Sequence, residues 1–244
     1  MATFVLLHGG AHQGRHWSLV RPLLETLGHG TIAPTLPMTD VNKGAGDWAD
    51  VVVDAVSDCV NLDDLYLVGH SYSGVVLPLV ASRVPVKRMI FLNAHVPVPG
   101  LPYTAYMEQH PECSIGPFDL YEYDEDGRLV LSWEIARTFF FPDCEEEVAK
   151  EAFASLQPCA MHVLSEPCPI DEWPDVPSTY IVGRDDALIG PDWGRAVSLE
   201  RFGRAAVELP GDHAPFLARP QELVDVLHRI AFLGDSTPDP ASAP

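Results

Sequence analysis

Basic residues are scarce in this chain: 15 Lys and Arg stand against 35 Asp and Glu in 244 residues, a formal charge of −20. A surface so short of cations is a poor match for phosphates, which argues against nucleic acid or an anionic membrane surface as a partner. The acids are spread along the chain and read as a solubility feature. Cysteine is also sparse. Cys59, Cys113, Cys144, Cys159 and Cys168 are odd in number and show no C-x-x-C spacing, so they read as free thiols of a reducing, cytoplasmic compartment. The histidines lack H-E-x-x-H or similar spacing, and neither a metal nor another cofactor is expected. No apolar run approaches the ~18–20 residues of a membrane span. The first one, Phe4 to Leu7, has no basic lead and is too short for a secretory leader. No internal repeat is present.

What the chain does have is short apolar runs alternating with helical patterns. Strand-like runs fall near 3–7, 31–33, 64–68, 87–92, 178–182 and 204–209, with helical candidates near 16–27, 47–60, 71–83, 191–202 and 219–233. This alternation predicts an α/β domain, a mostly parallel sheet covered by helices on both faces. In the last helix Leu223, Val224, Val226, Leu227 and Ile230 are close to helical spacing, and Pro220 stands near its start. Between about Pro97 and Pro177 the alternation breaks. There Asp119 to Tyr123 and Arg128 to Ser132 are placed to pair as a hairpin around Asp124-Glu125-Asp126-Gly127. Trp133 to Phe140 and Glu145 to Leu156 look helical. The polar, Pro-rich tail after Gly234 reads as disordered.

Chemistry concentrates at strand ends. Leu65 to Val68 runs straight into Gly69-His70-Ser71-Tyr72-Ser73-Gly74 and then a helical pattern. A serine on such a sharp turn needs small neighbours, and the turn lifts its hydroxyl above the sheet. Ser71 is therefore the candidate nucleophile, with the Tyr72 backbone N–H aimed at a nascent oxyanion. Phe4 to Leu7 ends in His8-Gly9-Gly10, a loop able to present the Gly10 N–H as a second donor. Tyr180 to Gly183 ends in Arg184-Asp185-Asp186, and Val207 to Leu209 is followed by Asp212-His213. The order Ser, Asp, His is that of the α/β-hydrolase triad. His213 is the candidate base, and either Asp185 or Asp186 the acid. His8 reads as shaping its loop. His70 reads as structural or pocket-lining, and His12, His16 and His95 sit near strand ends within reach of a substrate.

These motifs, with Pro22-Leu23-Leu24-Glu25, Gly28-His29, Asp126 to Leu129 and Val176 to Tyr180, carry a resemblance over about Thr3 to Leu233. The chain resembles the α/β-hydrolase superfamily, in the branch of plant methylesterases, hydroxynitrile lyases and bacterial pyrethroid-hydrolase-like esterases. Its departures are Ser73, where the usual elbow has glycine, and the paired Asp185-Asp186. The resemblance implies a core of 1–96 and 178–234 and an inserted lid at 97–177. Laying Tyr180-Ile181-Val182 on the family's strand without gaps places the acid at Asp186 and an apolar position at Ile189. Lyases of the branch carry threonine directly after the loop histidine and lysine directly after the catalytic one. Here those positions are Gly9 and Ala214.

The resulting expectation is a serine hydrolase that cleaves a small apolar or aromatic carboxylic ester through an acyl-enzyme, and a homodimer is allowed. A lactone or thioester hydrolase or cyclase of a biosynthetic pathway is the alternative, with a hydroxynitrile lyase or a non-catalytic binder further off. Tyr103, Tyr106, Met107, Trp133, Phe139, Phe140 and Phe141 in the inserted region line a pocket or form that region's own core, the latter being the safer reading.

Overall fold

The computed structural model describes residues 1–57 and 64–233. Cys59, the end of the helix expected over 47–60 and the tail expected to be disordered lie outside those residues. In chain order the elements are β1 (Thr3–Leu7), α1 (Arg21–Thr26), β2 (Gly30–Ile32), α2 (Ala45–Val56), β3 (Leu65–His70), α3 (Leu77–Ala81) and β4 (Arg88–Leu92). Then come α4 (Tyr103–Gln109), β5 (Glu122–Tyr123), β6 (Leu129–Val130), α5 (Trp133–Ile135) and α6 (Glu146–Ala154). The last described elements are β7 (Ser178–Gly183), α7 (Pro191–Phe202), β8 (Val207–Leu209), α8 (Pro215–Ala218) and α9 (Pro220–Leu233).

Six strands form one parallel sheet in the order β2-β1-β3-β4-β7-β8. Strands β3, β4 and β7 are buried along their whole length, which is why they read as continuous apolar runs rather than alternating ones. The order reverses direction between β1 and β3. Right-handed crossovers then put α1 on one face of the sheet and α2, α3 and α7 on the other. The packing agrees, since α2 lies against α3 and α1 against α9. A reversal of this kind opens a crevice at the carboxyl ends of the two strands flanking it, here β1 and β3.

Local signals set the helix limits. Asp47 accepts the Gly44 N–H at 3.0 Å at the start of α2, whose Trp48, Val52 and Val56 recur at four-residue spacing and are buried. Pro191 opens α7, and Gly203, at φ +68°, ends it in the left-handed conformation. The helix expected over 71–83 begins as a tighter 3-10 turn over Ser71–Val76, and only Leu77–Ala81 is α-helical. The hairpin in the segment between β4 and β7 pairs β5 with β6, shorter than the expected runs. In its acidic turn Asp124 accepts from the Asp126 and Arg128 N–H groups and pairs at 2.8 Å with the Arg128 guanidinium, which also donates to Thr39 O at 3.2 Å.

Candidate active site

Among the described residues three that are not glycine have left-handed backbone, Ala11 (φ +63°), Ser71 (φ +52°) and Asn93 (φ +45°). All three follow the C-terminal ends of strands, β1, β3 and β4, beside the crevice. Strain of this kind costs roughly 1–3 kcal/mol per residue and persists only where the surroundings over-determine it. At Ser71 the surroundings are a turn with no spare volume. A Cβ at Gly74 would lie 2.1 Å from the His95 carbonyl oxygen, so only glycine fits. Ser73, the departure from the usual elbow, is fully buried, and its hydroxyl is shared between Leu7 O (3.1 Å) and His70 O (2.9 Å). It ties the end of β1 to the end of β3.

The acid next to His213 is Asp186. Its Oδ2 accepts from His213 Nδ1 at 2.8 Å, with both side chains only 1% exposed. Its Oδ1 accepts the N–H groups of Leu188 (2.8 Å) and Ile189 (3.0 Å). Asp185 is exposed and only accepts the Gly211 N–H at 3.2 Å. With Nδ1 donating to the carboxylate, Nε2 of His213 carries the lone pair, and that atom is buried with no hydrogen-bond partner. The His213 backbone is pinned from below. His70 Nε2 donates to its carbonyl oxygen at 2.8 Å, and Asn93 Nδ2 donates to the carbonyls of Asp212 (3.1 Å) and His213 (3.3 Å). Asn93 Oδ1 in turn accepts the Gly183 N–H at 2.6 Å. One buried amide thus joins the ends of β4 and β7 to the histidine loop. The Asp212 carboxylate accepts the N–H groups of Ala214 (2.9 Å) and Asp143 (2.8 Å), joining that loop to the segment between β4 and β7. Burial raises this carboxyl above its ordinary range.

A cavity of about 60 Å³ opens over Ser71. Gly10, Tyr72 and His95 border it together with the apolar side chains of Met107, Phe118, Leu129, Phe140, Met161, Leu164, Leu188 and Ile189. Gly10 and Tyr72 are neighbours, a Cβ on Gly10 being 3.4 Å from the Tyr72 ring. The Gly10 N–H donates to no described residue, and the first N–H groups of the turn opening at Ser71 have no side-chain cap. Two peptide donors therefore flank the serine.

The remaining histidines divide by location. His8 donates from Nδ1 to Gly9 O (2.9 Å) and accepts the Leu36 N–H at Nε2 (2.9 Å), which holds the glycine loop; burial pushes its pKa down to about 4. His12 and His70 do not border the cavity. His12 holds Gly10 O at 2.8 Å through Nδ1 and packs among His16, Phe141 and Phe216, and His70 lies under the His213 loop. Both turn inward, beneath the loops at the cavity: His12 away from the substrate-lining place expected of it, and His70 in the structural one of its two expected roles. His16 reaches Ala152 O (3.2 Å) and Ser155 Oγ (3.0 Å) at the end of α6, again away from the cavity. His95 does border it. Of the inserted side chains singled out in the sequence, Phe140 and Met107 reach the cavity, as do Phe118 and Tyr121 of the same segment, whereas Tyr103, Trp133 and Phe141 pack within the protein. Asn93 and Asp212 carry the site's scaffolding; a polar residue closing the apolar run of β4 is the one signal for the first, and the second stands in the Asp212-His213 pair.

Cys113, Cys144, Cys159 and Cys168 are buried free thiols, with burial pushing each up to between about 11 and about 12, so none is a thiolate nucleophile. Among the described residues no group of three His, Cys, Asp or Glu side chains is placed to hold a metal, and no helix is long and apolar enough to cross a membrane.

A serine on a strained strand-to-helix turn, a buried Asp–His pair and two free peptide donors at a sheet switch point define the α/β-hydrolase class. The model of the alpha/beta hydrolase family matches residues 4–226, and the chain belongs to that family. It is 26% identical to Methylesterase 2 of Arabidopsis thaliana, over 93% of this chain and 95% of that protein. To an alpha-hydroxynitrile lyase of the same plant it is 25% identical, over 93% and 96%. Among solved structures it is similar to a pyrethroid hydrolase, PytH, with a TM-score of 0.78 at 23% identity, covering 94% of this chain and 97% of that one.

Proposed function

We propose that this protein is a serine esterase that cleaves a small, apolar or aromatic carboxylic ester through an acyl-enzyme. The observation that carries this reading is the buried Asp186–His213 pair with its unpartnered Nε2; Phe140, whose ring packs on His213 at 5.9 Å, borders the cavity over Ser71 and its left-handed turn. Nε2 takes the Ser71 proton as the hydroxyl oxygen attacks the ester carbonyl. The Gly10 and Tyr72 N–H groups receive the oxyanion, each such donor being worth roughly 2.7–4 kcal/mol in comparable sites. The imidazolium, steadied by Asp186, protonates the departing alcohol, and water then cleaves the acyl-enzyme through the same histidine. Residues 97–177 act as the lid: Met107, Phe118 and Phe140 from this segment roof the cavity.

Lyase chemistry is disfavoured at two positions. A Cβ at Gly9 would lie 2.7 Å from His70 Nδ1 and 2.9 Å from Ser71 Cβ, leaving no room for the threonine of the lyases while His70 holds its place. Ala214 supplies no cation for departing cyanide, and neither neighbouring histidine replaces it. Burial drives His12 well below its ordinary range and His95 to about 3, so both stay neutral. The test is a fluorophosphonate probe followed by peptide mapping. The adduct is expected on Ser71, with labelling and turnover of p-nitrophenyl esters both lost in Ser71→Ala at an unchanged melting temperature. Labelling at another residue, or turnover in the variant within tenfold of the parent, refutes the assignment.

A further inference from the structure

The cavity over Ser71 is bordered by no Asp, Glu, Lys or Arg side chain. A charged substituent entering it would be stripped of water with no counter-charge, at a cost of several kcal/mol, so the part of the substrate held there is neutral. One nitrogen-bearing side chain nevertheless stands in that wall. His95 is 6% exposed, and its ring stacks on Tyr103 at 4.4 Å and 11°, which fixes the plane of the imidazole. Its backbone N–H holds Ser71 O at 3.1 Å, so the ring is anchored within one hydrogen bond of the nucleophile's own peptide. Nδ1 is fully enclosed and has no partner, which leaves Nε2 as the nitrogen with accessible surface, and Nε2 is bonded to no described residue. Burying an unpaired lone pair is cheaper than burying an unpaired N–H. The proton therefore sits on Nε2, and a neutral, rigid donor faces the cavity. Phe or Leu would fill the same volume without the cost of an unpartnered polar atom.

We propose that the His95 ring is a substrate-recognition site, its Nε2–H donating to an uncharged oxygen, a ketone, ether or hydroxyl, carried by the ester in addition to its scissile group. The substrate class is thereby narrowed from simple alkyl or aryl esters to neutral oxygenated ones. This rests on the esterase reading above. Discrimination of the kind expected arises when a buried polar group is left unpaired by the analogue that lacks the matching atom.

The test uses p-nitrophenyl esters in matched pairs of similar shape: methoxyacetate with butyrate, 3-methoxypropanoate with pentanoate, and 4-oxopentanoate with 4-methylpentanoate. Each kcat/KM is divided by the ester's hydroxide-catalysed rate to remove intrinsic activation. The parent is expected to prefer the oxygenated member of at least one pair by about tenfold. In His95→Phe, which keeps the stack on Tyr103, that ratio falls to about one. In His95→Gln, whose amide nitrogen falls near Nε2, the preference returns; a purely packing role for the ring predicts the opposite order of the two variants. Flat ratios in the parent across all three pairs, or a preference that survives in His95→Phe, overturn the proposal. Failure of the esterase reading looks different. The parent would then turn over none of the six esters and leave Ser71 unlabelled by fluorophosphonate, and this inference would fall with it.

Discussion

Replacing Asp186 by Asn separates orientation from shape at the base. The amide is isosteric with the carboxylate, and its carbonyl oxygen retains the two N–H groups of Leu188 and Ile189 that Oδ1 holds now. Its NH2 group is thereby turned to His213 Nδ1, where Oδ2 accepts at 2.8 Å. Two donors cannot face each other, so Nδ1 gives up its proton and Nε2 takes it. The atom that must accept the Ser71 proton is then already protonated. In a serine hydrolase the wrong tautomer costs about 10⁴ in kcat, close to ~5.4 kcal/mol of barrier. Folding suffers much less, since a charge-assisted hydrogen bond is exchanged for a neutral one at ~1 kcal/mol, a shift of about 2–4 °C in a chain of this size. Asp185→Asn is the control: an exposed residue that keeps an acceptor for the Gly211 N–H should retain kcat/KM within about threefold. The assay is kcat/KM on a p-nitrophenyl ester with calorimetric Tm for each variant. A loss under tenfold for Asp186→Asn, or a larger loss for Asp185→Asn, would refute the reasoning.

Acidification should destabilise the protein. Burial lowers His8 to about 4 and His95 to about 3, against ~6.5 in the unfolded chain. From pH 6.5 downward to those values the unfolded state therefore binds protons that the folded state refuses, and stability falls with pH. Between pH 7 and pH 5 each group removes about 2 kcal/mol, with Asp212 working in the opposite sense; urea midpoints that do not drop over this range contradict the burial argument. Gly74→Ala should fail to fold or lose at least ~3 kcal/mol, because its methyl meets the His95 carbonyl, part of the backbone, at 2.1 Å; a Tm within 3 °C of the parent would show that the turn can relax. Mandelonitrile should release cyanide no faster with the protein than in buffer, and release that is lost in Ser71→Ala would move the chain to lyase chemistry.

How much of this was legible in the sequence depends on the range of the interaction. The sheet could be read because strands β3, β4 and β7, buried on both sides, leave continuous apolar runs. The elbow and the His-Gly-Gly loop are local too, since strained turns and close approaches impose small residues at fixed offsets. Choosing between Asp185 and Asp186 was beyond composition: two adjacent carboxylates differ only in which one the following turn supplies with donors, and those come from the Leu188 and Ile189 backbone. The role of Asn93 was hidden for a stronger reason, because its partners are carbonyls 119 and 120 residues away. The orientation of His95 depends on Tyr103, which belongs to a segment where the strand–helix rhythm is broken. The parts of His12 and His70 could not be told apart in the sequence, because a histidine at a strand end is equally suited to face a ligand or to hold a carbonyl, and here both hold carbonyls.

Ser73 has a consequence for how this catalyst tolerates change. Its hydroxyl rests on a carbonyl from each of two strands, one leading to Gly10 and the other to Tyr72. It acts as a gauge between them, so the separation of the two peptide donors follows from a contact shared by both loops rather than from sheet register alone. A glycine in its place would free both carbonyls and leave each loop to find its own height above the sheet. Since an oxyanion reads donor positions to a few tenths of an ångström, drift in either loop would reach the reaction rate long before it reached the melting curve. Loops transplanted between this chain and glycine-elbow relatives should therefore travel as a pair, with residue 73 going along.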